Sequence, residues 1–239
     1  MRMLSVGKYF NIPVYIHWTF SFIILLVGYE AYKAGMNQYE VLAFASYIFC
    51  VFLCVVLHEY GHALMARRFG IGTQDILITP IGGLARLYGL PQEPKGELYI
   101  AFAGPLVNLA IAISFFLGLY FSGVFLNPLY IDIVGVDLIN TMTSVIGFLH
   151  LILFLNIVLF TFNMIPAFPM DGGRILRALL SFKLDRVKAT FYASIVGRVM
   201  AIAFVAFASY NRLPGLFFIG IFIFLMAGRE YRMVERRGL

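Results

Sequence analysis

Residues 41–66 read VLAFASYIFCVFLCVVLHEYGHALMA, long enough to cross a bilayer as one helix, with His58, Glu59 and His62 close to its end. The first seventeen positions of the run carry no charge. Ionisable side chains at the end of such a run are costly to bury and need a chemical reason. Working outward, the rest of the chain has the same character. Of 239 residues, 62% are hydrophobic and 13% charged, against roughly half and a quarter in soluble domains. That composition excludes a soluble globular protein. Further apolar runs lie at 16–32, 98–122, 143–165, 189–209 and 213–228. They predict an all-α polytopic membrane protein with about six transmembrane helices. Two stretches break the pattern. Tyr9 to His17 reads as extended chain, and Ile76 to Leu87 is apolar but interrupted by Pro80, Gly82 and Gly83. These predict short membrane-associated β-strands, with a hairpin at the cytoplasmic side.

Eighteen Lys and Arg against twelve Asp and Glu give a net charge of +6, clustered between the apolar runs. Such clusters orient a membrane protein and do not form a nucleic-acid surface. Six crossings put both termini on one side. Fifteen basic residues then fall on that side, in the termini and in segments 67–96 and 173–188, and only Lys33 and Arg212 fall on the other. The termini are therefore expected in the cytoplasm, with 123–142 outside, in a multi-pass protein of the cell membrane. Arg198 lies inside the fifth run and is expected to be paired or snorkelling. Cys50 and Cys54 share one apolar run, so there is no disulfide framework. No A-x-A-like site follows the first run, which reads as a retained span. A single domain over 1–239 is expected, with core spans at 41–66, 98–122 and 143–173.

Residues four apart share one helix face, so His58 and His62 can reach one metal ion, with Glu59 beside its open position. Zinc held by two His and a carboxylate brings the pKa of a bound water to about 7, and a neighbouring Glu can take that proton. The alternative is that the three only hydrogen-bond between helices. A third ligand is best sought in Asn163-Met-Ile-Pro-Ala-Phe-Pro-Met-Asp171-Gly-Gly-Arg174, and Asp171 is the candidate. Runs 41–66 and 143–165 are both expected to travel from outside to cytoplasm, so the two motifs meet at one depth. At 1.5 Å per residue from the Arg67 boundary, the metal would lie roughly 7–14 Å inside the membrane. Pro166 and Pro169 break the helix before Asp171, which is tolerable only around a protein-lined, hydrated cavity. Cys50 is about 12 Å along the helix from His58 and cannot share a coordination sphere. Cys54 reads as small apolar packing, Asn156 as structural, His17 as interfacial beside Trp18, and His150 carries no assigned chemistry.

These residues resemble the site-2 protease family of intramembrane zinc metalloproteases. His58-Glu59-Tyr60-Gly61-His62 corresponds to that family's zinc motif, and Asn163 through Gly173 to its motif for the third ligand. Thr79 to Ala85 together with Ala103 to Asn108 is similar to its membrane hairpin and the start of its third core span. Ile12 to His17 is similar to the segment before its first span. The likeness weakens after about residue 190, and the chain has room for neither a PDZ nor a CBS module. The resemblance implies one zinc ion per chain held by His58, His62 and Asp171, with Glu59 as general base. Asn163 is a further catalytic candidate, able to donate to an oxyanion or to hold the substrate backbone; otherwise it makes an interhelical hydrogen bond. The expected function is endopeptidase cleavage within the transmembrane segment of a membrane-protein substrate, as in regulated intramembrane proteolysis, in contact with the lipid bilayer and without nucleic acid. A metal-ion transporter or metal-binding membrane scaffold is the alternative, but neither would specifically need Glu59. A membrane zinc protease acting on prenylated proteins would want a Glu as third ligand.

Overall fold

The computed structural model describes residues 3–80, 82–89, 91, 93–123 and 138–237; most of the expected outer loop, 124–137, lies outside the described residues. Five described helices are long and apolar enough to cross a membrane. They are α2 (Gln38–Arg68), α3 (Pro94–Phe121), α5 (Val145–Asn163), α7 (Arg186–Tyr210) and α8 (Pro214–Arg237). Within the run expected at 16–32, helix α1 (Ser21–Lys33) has only 13 residues and follows a 3-10 turn at Trp18–Phe20. The shorter helices α4 (Leu138–Thr143) and α6 (Asp171–Ser181) complete the set. The chain forms two compact units, one of 1–89 with 106–160 and one of 90–105 with 161–239, so α3 and α5 each contribute to both.

In the first unit, Asn37 caps α2: its Oδ1 accepts from the backbone N–H groups of Tyr39 and Glu40, while Glu40 Oε2 accepts from Asn37 N at 2.7 Å. The helix stops where Gly70 takes a left-handed φ of +74°, and Ile71 N closes onto Ala66 O at 3.0 Å. This stop returns the chain into strand. Strands β1 (Met3–Tyr9), β2 (Ile12–His17), β3 (Thr73–Thr79) and β4 (Gly82–Leu87) form one sheet in that order. The stretch foreseen at Tyr9–His17 holds strand β2, which pairs with the unforeseen β1, and the stretch at Ile76–Leu87 falls in the hairpin β3–β4; the two hairpins join edge to edge. β1–β2 and β3–β4 are antiparallel, but β2 and β3 are parallel, with Val14 opposite Ile76 and Ile16 opposite Ile78. Ile12, Val14, Ile76 and Ile78 alternate onto one face and bury against Tyr60 and Ala63 of α2. Tyr60 Oη donates to the Ile12 carbonyl at 3.3 Å, fixing the sheet on the last turns of α2.

In the second unit, α7 and α8 pack as a hairpin whose interface is built from small residues, among them Ala193, Gly197, Ala201, Gly220 and Ala227. A Cβ on Gly220 would stand 2.7 Å from Val205, so this close approach requires glycine. The irregular segment after α5 lies against that hairpin: Ala167 and Met170 pack with Ala201 and Ile223, and Phe168 packs with Ala193 and Ala227. Arg177, read from sequence as one of the basic residues setting orientation, is buried on α6. It donates to Glu97 at 2.7 Å and Glu230 at 2.6 Å and lies over the Phe168 ring. Removing one partner of a buried ion pair leaves a charge uncompensated. Arg177→Met is therefore expected to destabilise the protein by about 3–5 kcal/mol. Lys188→Met, which removes an exposed pair with Asp185, is expected to cost under about 1 kcal/mol. Thermal unfolding of the two variants in detergent checks the contrast.

Candidate metal centre

Helix α2 continues unbroken through His58 and His62, so their rings sit one turn apart at a 4.7 Å centroid distance. Both are buried, on the helix face away from Tyr60 and the sheet. Their Nε2 atoms stand 3.0 Å apart, and His58 Nδ1 lies 2.6 Å from Asn108 Oδ1. Nitrogen ligands at 2.0–2.1 Å around a tetrahedral zinc stand about 3.3 Å from each other, close to this separation.

Glu59 points elsewhere. Its Oε2 accepts from the backbone N–H of Ala85 on β4 at 2.8 Å. A Cβ on Gly83 would come within 2.5 Å of Glu59 Cγ, so the bare glycine is what lets the strand lie over this side chain. Glu59 is half-buried.

In the second unit, α5 ends at Asn163 and regular structure resumes at Asp171. Between them Pro166 and Pro169 lack the N–H groups a helix needs. Short turns replace it, including Ala167 N to Ile165 O at 2.7 Å and Met170 N to Ala167 O at 3.0 Å. The first turn of α6 nests on this stretch. A Cβ on Gly172 would fall onto the Ile165 carbonyl oxygen, and one on Gly173 would meet the Phe168 nitrogen at 2.7 Å. Asp171, buried at the helix start, is thereby fixed, and a helix N-terminus favours its carboxylate.

His58 and His62 bring two buried imidazoles together in the first unit, and Asp171 presents a buried carboxylate in the second. Two imidazoles and one carboxylate suit zinc and leave the fourth position of a tetrahedral ion open. Asn163 is half-buried at the end of α5.

Other residues gain contacts that their sequence reading did not include. Cys54 is buried as expected, but its Sγ also accepts from Asn156 Nδ2 at 3.3 Å. His150 donates from Nδ1 to the Ile146 carbonyl of its own helix. His17 caps the 3-10 turn, with Nδ1 2.8 Å from Thr19 Oγ1. Asn108 had no assigned role beyond its place in a motif, yet it touches a candidate ligand. The available signal was an amide inside an apolar run, where an unpartnered amide is costly.

The chain matches the pattern of peptidase family M50 over residues 46–207. It is similar to "Zinc metalloprotease MJ0392" of Methanocaldococcus jannaschii, with 35% identity over 97% of this chain and 61% of that protein. It is also similar to "Putative zinc metalloprotease Rip3" of Mycobacterium tuberculosis, with 28% identity over 99% of this chain and 60% of that one. The chain thus spans about 60% of the length of these relatives. Among solved structures it resembles "Site-2 Protease from Methanocaldococcus jannaschii", with a TM-score of 0.62, 33% identity, and coverage of 96% of this chain and 95% of that one. The likeness therefore extends past residue 190, where the motifs alone fade. From sequence match, relatives and structure together, the chain belongs to peptidase family M50, the site-2 protease family.

Proposed function

We propose that the chain is an intramembrane zinc endopeptidase in which His58, His62 and Asp171 hold the metal and Glu59 is the general base. The observation that carries this is the buried His58–His62 pair with Glu59 held beside it by the Ala85 N–H, in a chain of family M50 that also carries a buried Asp171. Bound zinc would polarise a peptide carbonyl and acidify a water in the open position. Glu59 takes the proton of the attacking water and passes it to the leaving nitrogen. Asn163, close in sequence to Asp171, donates to the carbonyl oxygen as charge develops on it or holds the substrate backbone.

The substrate is a transmembrane segment of another protein in the bilayer. A helix hides its carbonyls in its own hydrogen bonds, so the attacked stretch must become extended. The outer edge of β4 supports a place for it. That strand pairs only with β3 among the described residues, and on its other side its Ala85 N–H already meets Glu59. A chain added there as a further strand runs beside the base.

Six crossings, both termini and the sheet in the cytoplasm, and a cell-membrane location complete the proposal. Parallel pairing of β2 with β3 supports it: the chain leaves the sheet into α1 and returns from α2 to the same sheet. If α2 crosses, the short α1 with its 3-10 turn must cross in the opposite sense. We further propose that residues 1–239 work as one protease module.

Glu59→Gln is expected to keep zinc content near wild type and drop cleavage of a membrane substrate to background; full cleavage would overturn the base assignment. Asp171→Ala is expected to lower zinc stoichiometry as well as activity, measured by metal analysis of the purified variant. Unchanged stoichiometry would move Asp171 out of the ligand set. Mapping the cut by mass spectrometry is expected to place it within roughly two or three turns of the substrate's cytoplasmic end. Gly, Asn or Pro near that end is expected to speed cleavage, and a straight Leu-rich segment to slow it.

A further inference from the structure

Asn108 of α3 and Asn156 of α5 are both fully buried in apolar spans. Their hydrogen bonds run in one direction. The Ile152 carbonyl can only accept, so Asn156 turns Nδ2 toward it at 2.9 Å, and the same nitrogen reaches Cys54 Sγ. Asn156 Oδ1 is then left for Asn108, whose Nδ2 donates to it at 2.9 Å. With that nitrogen engaged, Asn108 offers His58 only its Oδ1, 2.6 Å from Nδ1. An oxygen at that position accepts a hydrogen bond from Nδ1–H, and in the neutral ring the lone pair then falls on Nε2, the atom facing His62. Were the Asn108 amide reversed, its NH₂ would demand the lone pair on Nδ1, and the proton would sit on Nε2 in place of a metal.

We propose that Asn108 and Asn156 are positioning residues that set the tautomer and orientation of His58 for zinc, with the polarity of the chain imposed by the Ile152 carbonyl. This rests on the reading of His58 as a ligand given above. Partners of a ligating His typically change metal affinity 10- to 100-fold when removed. A directional chain makes a sharper demand than packing does: it needs an acceptor at position 108 and a fixed amide at position 156.

The test measures zinc affinity of the purified full chain by chelator competition, alongside thermal unfolding without metal. Asn108→Leu is expected to bind zinc roughly 10- to 100-fold more weakly. Asn108→Asp keeps an acceptor for Nδ1 and is expected to recover most of that loss. Asn156→Ala leaves the His58 contact in place but frees the Asn108 amide to rotate, so affinity is expected to fall by an intermediate factor. The cobalt-substituted Asn108→Leu protein is expected to show a visible spectrum shifted from wild type, which a role in folding alone would not produce. Wild-type affinity in Asn108→Leu, or equal weakness in the Leu and Asp variants, overturns the proposal. If Asn108→Leu does not fold, wild-type affinity in Asn156→Ala overturns it. His58→Ala separates the two readings. Zinc retained there refutes the ligand assignment itself, whereas zinc lost there but kept in Asn108→Leu and Asn156→Ala refutes only the relay.

Discussion

An imidazole buried in an apolar helix is stabilised where its ring nitrogens meet partners from within the protein. In the first unit that demand shapes the interior. His58 on α2 finds Asn108 on α3, Asn108 finds Asn156 on α5, and Asn156 ends on a backbone carbonyl. Three apolar helices are set in mutual register by polar contacts buried from water. The second unit answers the same demand with charge: Arg177 is buried between Glu97 and Glu230, with Arg186 3.2 Å from the other oxygen of Glu97.

The division of labour between α2 faces follows from helix periodicity. Tyr60 and Ala63 bury against the sheet, while His58 and His62 turn away from it. Glu59 lies between these directions and meets the strand edge. Residues 58–63 therefore supply the sheet's anchor, the two imidazoles proposed to hold the metal and the proposed base, and glycine at 83 keeps strand and glutamate in contact. Gly172 and Gly173 do the equivalent for Asp171, admitting carbonyl groups where any side chain would collide.

Much of this was legible in the chain. The long apolar runs located five helices, and the His58–His62 spacing put two imidazoles one turn apart on a buried face, because hydropathy and i,i+4 spacing are local properties. The run at 16–32 was misleading in length, since residues up to His17 belong to β2 and Trp18–Phe20 to a 3-10 turn. Helix α6 was hidden by its shortness and amphipathic pattern, which reads like a charged connection. The joining of two hairpins into one sheet was invisible too, because β2 and β3 are far apart in sequence. Asn108 escaped for the same reason: its partner His58 is fifty residues away. Arg177 was counted as an orientation charge because nothing local distinguishes a loop cation from one that two distant glutamates enclose.

The parallel pairing of β2 with β3 also bears on how the protein is made. A parallel pair cannot close by a tight turn and needs a long crossover, here residues 18–72. As the ribosome releases the chain, β1 and β2 can zip together at once, but β2 then waits with one edge bare. Its neighbour emerges only after α1 and α2 have been synthesised. Completion of the four-stranded sheet therefore follows synthesis of both helices. Until then Glu59, on the last turns of α2, has no strand to lie against, and its contact with Ala85 forms in the same step that completes the sheet.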